Sequence, residues 1–168
     1  VKGIDRSLKA VASLPPELRE RVIFILVGKD KPAKVWKLAD DLAIKDRVLI
    51  VPGSDDIPSF LAGSDLMLHP AYRESAGHVL LEAMVSGLPV LTTTTCGYAC
   101  YIEKSKSGLV CAEPFNQEEL NQKLCLMIKN EDEVCWSENG LKYERENDLY
   151  SLHEKAANLI DKFAKNMK

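Results

Sequence analysis

The chain has 168 residues, 46% hydrophobic and 28% charged, which suits a single soluble domain with a buried core. A formal net charge of −3 without a basic stripe argues against nucleic acid as a partner. The longest apolar runs are strand-sized, so we expect a cytoplasmic protein without a transmembrane segment. The five cysteines contain no CxxC pair and no histidine cluster accompanies them, which favours reduced, mostly buried thiols over a zinc site.

Helical patterns and short apolar runs alternate in the first part of the chain. Apolar residues at helical spacing predict a helix over residues 3–13, which ends at a pair of prolines. Continuous apolar runs predict strands over residues 21–28 and 48–51, the first of them buried on both faces. Helices are predicted after them, over residues 32–43 and 55–63.

The same alternation continues through the rest of the chain. Strands are predicted over residues 65–69, 89–92 and 108–111. Helices are predicted over residues 77–86, 98–103, 116–129, 131–145 and 151–164. Buried strands that alternate with helices indicate an α/β fold with a doubly wound, Rossmann-like parallel sheet. In such sheets ligands bind beyond the carboxyl ends of the strands, here at residues 51–55 and 69–74.

Two glutamates eight residues apart carry the clearest binding signal. Glu74 precedes the helix predicted from Gly77, and Glu82 lies about one and a half turns inside it. The start of that helix offers free backbone N–H groups to an anion such as a phosphate, and Gly77 lets a ligand approach the backbone. Carboxylates at both ends, with amide donors between them, suit a nucleotide sugar. Taken alone, the pair could also be a surface residue and an ordinary helix residue.

The chain begins on a helix, whereas a doubly wound half normally begins on a strand. We therefore expect a truncated sequence that lacks the first, central strand of the order 3-2-1-4-5-6. Its neighbours would expose unpaired edges, so we predict that they close on each other or that a second chain covers them in a dimer. Closure would carry Lys2 away from Glu74.

Several segments resemble the donor-binding signature of the retaining family-4 glycosyltransferases, which have the GT-B fold. They are His69–Gly77, Leu81–Met84 and Ser86–Leu91, and Lys2-Gly3 resembles the end of that family's phosphate loop. Further segments at residues 1–8, 27–32, 95–98 and 148–152 resemble the members that transfer glucose from UDP-glucose to the first heptose of the lipopolysaccharide inner core.

This resemblance implies that residues 1–168 are the C-terminal donor-binding domain of a two-domain transferase, with the acceptor domain absent and the fragment alone inactive. It implies no cofactor and no metal. UDP-glucose is the expected donor, and the lipopolysaccharide core is the acceptor, reached through the absent domain. The full-length enzyme is expected in the cytoplasm, at the periphery of the inner membrane.

The resemblance also assigns roles to residues. Glu74 is expected to accept hydrogen bonds from the donor sugar, Glu82 to hold the ribose and Lys2 to neutralise the diphosphate, which makes Glu74 and Lys2 the expected catalytic residues. The other expected donor contacts lie in the neighbouring loops and are Gly3, Gly53, Ser54, Ala76, Gly77, His78 and Val79.

Some interpretations stay open at this point. His78 is either a wall of the donor site or a polar helix residue, whereas we interpret His69 as a satisfied structural histidine. Lys29, Lys31 and Lys34 fit a solvated loop better than a phosphate site. A second function class also fits: a non-catalytic nucleotide-binding or partner-docking module that keeps the GT-B domain shape. The residues alone leave the nucleobase, the sugar epimer and the acceptor open.

Overall fold

A computed structural model describes residues 2–28, 32–130, 134–149 and 151–166 of the chain. Within these ranges the strands are β1 (Phe24–Val27), β2 (Val48–Val51), β3 (Met67–His69), β4 (Val90–Thr93) and β5 (Gly108–Cys111). The helices are α1 (Ile4–Ala12), α2 (Pro16–Arg19), α3 (Pro32–Asp41), α4 (Ile57–Ala62), α5 (His78–Val85), α6 (Ala99–Ser105), α7 (Gln117–Lys129), α8 (Trp136–Glu146) and α9 (Leu152–Asn166).

The predicted alternation of strands and helices is confirmed, with two short additions. The sequence analysis missed α2, because it treated the prolines before it as a stop, although proline is well tolerated in the first turn of a helix. It also missed a 3₁₀ turn over Lys45–Arg47. Lys29, Lys31 and the predicted start of α8 at Glu131 lie outside the described residues.

The strands form a parallel α/β arrangement, as predicted. β1 pairs with β2, and β4 lies between β3 and β5, all in parallel register. One apolar cluster joins α1, α3 and α7 to one side of the strands, and a second joins α4, α5 and α6 to the other. Helices on both sides of parallel strands are the doubly wound arrangement.

The predicted closure of β1 and β3 on each other is wrong, whereas cover of their edges by a second chain stays a prediction. In the described residues β1 and β3 do not pair, and a cavity of about 1150 Å³ separates them. The physical reason is α1, which packs on α3 beside β1 and also on β3 and α7, and so keeps the two sheets apart. Lys2 consequently stays beside Glu74.

Burial along the strands also differs from the prediction. All four residues of β4 are buried, but β1 and β2 are not covered on both faces. Phe24, Leu26 and Ile50 pack against the cluster under α1 and α3, whereas Ile25 and Leu49 on the opposite face are 39% and 50% exposed. The expectation failed because apolar β-branched runs look alike whether one or two faces are covered.

The cysteines are less buried than expected. Cys96 and Cys111 are buried and Cys125 is half-buried, but Cys100 and Cys135 are exposed; no two of the five form a disulfide. Burial raises the pKa of the Cys111 thiol to about 11, which keeps it protonated and unreactive. Among the described residues, no helix combines the length and the apolar character needed to cross a membrane.

Candidate functional site

The loop between β3 and α5 carries Glu74 and is held by hydrogen bonds from β4 and the residues after it. The Ala71 carbonyl, fully buried, accepts hydrogen bonds from the hydroxyls of Thr93 (2.9 Å) and Thr95 (2.7 Å). Thr92, also on β4, donates to the His69 carbonyl at 2.9 Å. Three hydroxyls, two on β4 and one just after it, therefore hold the backbone that leads to Glu74.

A second segment holds the same loop further along. Glu74 forms a parallel bridge with Cys96, and its carbonyl accepts the Gly97 N–H at 3.3 Å. The Tyr98 N–H donates to the Ala76 carbonyl at 2.8 Å. The segment before α6 thus pairs with the glutamate loop like a short additional strand, which the sequence analysis did not anticipate.

The start of α5 presents unused backbone donors. Gly77 precedes this helix in the left-handed region, at φ 83°, which favours glycine. No acceptor among the described residues takes the N–H groups of Ala76, Gly77, His78 or Val79. Free amides at the positive end of a helix dipole can bind an anion. The start of α5 therefore has the backbone geometry that the predicted phosphate site requires.

Lys2 and Glu74 form an ion pair at this site. The Lys2 ammonium donates to the Glu74 carboxylate; the glutamate side chain is 18% exposed and the lysine side chain 54%. The hydrogen bond from Lys2 is the main reason why the pKa of Glu74 lies below its ordinary value. Glu74 is therefore a carboxylate at neutral pH. The structure brings the two expected catalytic residues together, but it pairs them with each other.

Gly3 explains how Lys2 comes so close. Its φ is 74°, and a β-carbon there would lie 1.9 Å from the Pro70 carbonyl oxygen. Such a distance is impossible without moving backbone, so this close approach of α1 to the loop requires glycine. The structure therefore gives Gly3 a packing role at the site predicted for it.

His69 corrects one interpretation. Its Nε2 is buried and has no hydrogen-bond partner among the described residues, so it is not a satisfied structural histidine. Nε2 lies 3.9 Å from the Glu74 carboxylate, beyond hydrogen-bond range. A buried polar atom without a partner is uncommon in folded proteins and marks a place where a ligand or a water can bond.

Burial, and then the Lys2 charge, lower the pKa of His69 below its ordinary value; the Glu74 charge opposes them. Below about pH 6.5 the His69 imidazole binds a proton in the unfolded chain but not in the folded chain. The free energy of unfolding should therefore fall as the pH drops below about 6.5. We expect His69→Gln to remove that part of the acid destabilisation.

Urea unfolding at pH 7.5, 6.5 and 5.5 measures this difference. His78→Gln, which changes an exposed histidine at the start of α5, is the control and should keep the wild-type slope. A wild-type slope in His69→Gln as well would show that other groups cause the acid destabilisation.

Arg6 is a residue of this site that the sequence analysis missed. It is 9% exposed, and its guanidinium lies 3.7 Å from the ring centre of Tyr72 and 3.5 Å from that of Phe115. It donates to the carbonyls of Pro70 at 3.3 Å and Ala71 at 3.2 Å. Arg6 thereby ties α1 to the glutamate loop. Its aromatic partners are remote in sequence, and no local pattern marks an arginine that will be buried between them.

The remaining predicted residues lie around this loop. Glu82 is exposed on α5, and His78 is exposed at the start of that helix. The His78 ring meets the Tyr98 ring edge-on, with centroids 5.3 Å apart, so Tyr98 is a further wall of the site that the sequence analysis missed. This contact favours the interpretation of His78 as a wall residue over that of a simple polar helix residue.

Gly53 and Ser54 are not joined to the glutamate loop. They follow β2, and the Ser54 hydroxyl accepts the Asp56 N–H at 3.0 Å. Within the described ranges, no hydrogen bond or ion pair connects either residue to residues 70–78. β1 and the cavity lie between β2 and β3. No group of three metal-ligating side chains occurs in the described part of the chain.

The chain is similar to known proteins over most of its length. The family model described as "Glycosyl transferases group 1" matches residues 1–143. The lipopolysaccharide glucosyltransferase WaaG of Escherichia coli (strain K12) is 49% identical over 160 residues, which are 95% of this chain and 43% of WaaG. The N-acetyl-alpha-D-glucosaminyl L-malate synthase of Bacillus anthracis is 33% identical over 111 residues, 66% of this chain and 29% of that protein.

Solved structures show the same likeness. A crystal structure of WaaG superposes with a TM-score of 0.90 at 49% identity, over 95% of this chain and 43% of that one. A structure of HepE from Anabaena in complex with UDP-glucose has a TM-score of 0.78 at 24% identity, over 96% of this chain and 45% of HepE, which shows a shared fold. The chain thus spans less than half the length of these relatives.

Proposed function

Since the chain belongs to the group 1 glycosyl transferases, we propose that it is the donor-binding region of a retaining glucosyltransferase that acts on the heptose of the lipopolysaccharide inner core. The observation that carries the proposal is the arrangement at the start of α5, where four amides without an acceptor among the described residues follow Glu74 and its ion-pair partner Lys2. The name of the E. coli relative and its 49% identity support glucose as the transferred sugar and the lipopolysaccharide core as the acceptor. The UDP-glucose complex of HepE belongs to a protein of the same fold.

In this proposal the donor lies across the start of α5. The amides of Ala76, Gly77 and His78 donate to the diphosphate, which the helix dipole also stabilises. Glu74 accepts hydrogen bonds from the sugar hydroxyls at one end of the donor. Glu82, exposed further along α5, accepts those of the ribose at the other end.

Binding of the diphosphate has to rearrange the ion pair between Lys2 and Glu74. The ammonium of Lys2 is half-exposed and lies on a flexible stem, so it can turn from Glu74 to a phosphate oxygen. That movement leaves the Glu74 carboxylate free for the sugar hydroxyls. The cation and the amides would then stabilise the charge that develops on the departing UDP.

Turnover also needs the acceptor held against the donor, because orientation of two reactants supplies a large part of the rate. The residues proposed here all bind the donor. We therefore propose that acceptor binding lies in the part of the relatives that this chain does not span, and that residues 1–168 alone transfer sugar poorly.

We expect the two glutamates to act on different parts of the donor. Glu82→Ala should weaken the binding of UDP and of UDP-glucose alike by about 1.5–3 kcal/mol, roughly 10- to 150-fold in affinity, because it removes a charged acceptor. Glu74→Ala should weaken UDP-glucose by a similar factor and leave UDP unchanged or slightly tighter, since it also frees Lys2. Calorimetric titration of both ligands measures the four affinities.

Glu17→Ala, an exposed glutamate on α2, is the control and should bind both ligands normally. GDP-mannose should bind more weakly than UDP-glucose to every variant. If Glu74→Ala and Glu82→Ala lowered the affinity for UDP equally, the donor would not lie with its sugar at Glu74 and its ribose at Glu82. No binding of any nucleotide by the wild-type chain would instead favour the non-catalytic docking module.

A further inference from the structure

His69 carries a ring nitrogen that lacks a partner. It is the last residue of β3, its side chain is 12% exposed, and its Nε2 is buried without a hydrogen-bond partner among the described residues. Its backbone is held, because its carbonyl accepts the Thr92 hydroxyl at 2.9 Å. A buried polar atom without a partner is costly, so a group that can approach this nitrogen gains from doing so.

The carboxylate of Glu74 lies just out of reach of this nitrogen. Its Oε2 is 3.9 Å from His69 Nε2, and the same oxygen accepts the Lys2 ammonium. A hydrogen bond of ordinary length, about 2.9 Å, requires a movement of about 1 Å, which a small rotation within the glutamate side chain supplies. One carboxylate oxygen thus lies between two nitrogens, of which Lys2 holds it and His69 does not.

The charges around His69 oppose its contact with Glu74 only through Lys2. Burial and the Lys2 charge lower the pKa of His69, whereas the Glu74 charge raises it. Arg6, a cation of the neighbouring helix α1, is bound to two backbone carbonyls, and the His78 charge acts on Glu74. Departure of the Lys2 ammonium would therefore free the oxygen and remove the competing charge in one step.

We propose that His69 is a positioning residue: when Lys2 turns from Glu74 to the diphosphate, the Nε2–H of His69 replaces it and holds the carboxylate towards the sugar. This inference rests on the donor-binding function proposed above. The imidazole stays neutral, with its proton on Nε2, and no proton is transferred. With one oxygen held by His69, the other oxygen of Glu74 accepts from the sugar hydroxyls in a fixed geometry.

Histidine NMR tests the contact without any nucleotide. The chain has three histidines, so their ring signals can be assigned by substitution. Lys2→Gln releases Glu74, and the ¹⁵N shifts of His69 should then place its proton on Nε2. Glu74→Gln should lower the pKa of His69 more in the Lys2→Gln protein than in the wild-type protein, by about tenfold in the proton-binding constant. An equal effect of Glu74→Gln in both proteins would overturn the proposal.

Affinities for UDP and UDP-glucose test the positioning role. His69→Leu keeps an apolar side chain in the buried position but removes Nε2. It should weaken the binding of UDP-glucose about tenfold and leave that of UDP within about twofold. His69→Gln offers an amide N–H close to the position of Nε2 and should recover most of the affinity for UDP-glucose. Equal losses of UDP-glucose affinity in both variants, or an equal loss of UDP affinity in His69→Leu, would overturn the proposal.

Other partners of Nε2 give different results. If Nε2 bonded only a water, His69→Leu would bind UDP-glucose normally. If it bonded the sugar directly, the losses in His69→Leu and Glu74→Ala would add, whereas a positioning role makes the double variant no weaker than Glu74→Ala. Either result would overturn the role of His69 alone. Absence of UDP and UDP-glucose binding in the wild-type protein would instead overturn the proposed function, and this role with it.

Discussion

Gly97→Ala should lower the free energy of unfolding by about 3 kcal/mol or more and should also displace the glutamate loop. A β-carbon at Gly97 would lie 2.2 Å from the Ser75 carbonyl oxygen and 3.4 Å from the Ala76 α-carbon. Both are backbone atoms, so no side chain can rotate away to relieve the overlap. Either the pairing of residues 96–98 with the loop breaks, or the loop moves with its anion-binding amides.

Urea unfolding and UDP-glucose titration measure the two consequences of this substitution. Gly28→Ala is the matched control, since nothing lies within 4 Å of the β-carbon it would add, and it should be near neutral. If the two alanine variants were equally stable, the close pairing between Gly97 and the loop would be wrong. Loss of stability with unchanged affinity for UDP-glucose would separate this pairing from the donor site.

The sequence predicted most of the secondary structure because the strands are continuous apolar runs and the helices have clear amphipathic spacing. It also predicted the loop before α5, since Glu74, Gly77 and Glu82 are close in sequence and the features around them are local: a strand end, a left-handed glycine and a helix start. Local patterns of this kind can be read from one chain.

Contacts between remote residues were not predictable in the same way. The pairing of Glu74 with Lys2, the pairing of the loop with residues 96–98 and the burial of Arg6 all join segments that are distant in sequence. The state of the strand edges was predicted wrongly for a related reason. The cost of unpaired edges favours closure, but α1, which packs on α3, β3 and α7, opposes it.

Arg6 combines local and remote contacts. It lies on α1 and holds the loop before α5, which is distant from it in sequence. Its charge is buried, and among the described residues it is compensated by two aromatic faces and two backbone carbonyls. The Tyr72 hydroxyl in turn donates to Asp5 at 2.5 Å, which fixes one of the two rings against α1. Arg6 is a positioning residue, since it reaches the proposed donor through Pro70 and Ala71.

We expect Arg6→Met to lower the free energy of unfolding by about 2–4 kcal/mol, because it removes two desolvated cation–π contacts and two charge-assisted hydrogen bonds. Methionine keeps much of the apolar volume between Tyr72 and Phe115, so the variant should still fold. The loosened loop carries Glu74, and affinity for UDP-glucose should therefore fall more than affinity for UDP. Urea unfolding and calorimetric titration with both ligands measure these effects.

Two further variants separate this positioning role from a general loss of an arginine. Arg6→Lys keeps the charge but not the planar group that both rings cover, so it should recover part of the stability and of the affinity for UDP-glucose. Arg19→Met removes a guanidinium that donates to the Ala12 carbonyl at 2.9 Å, and it should cost about 1 kcal/mol without changing either affinity. If Arg6→Met lowered the affinities for UDP and UDP-glucose equally, Arg6 would affect the whole domain. A change confined to the Glu74 end of the donor must leave the affinity for UDP unchanged.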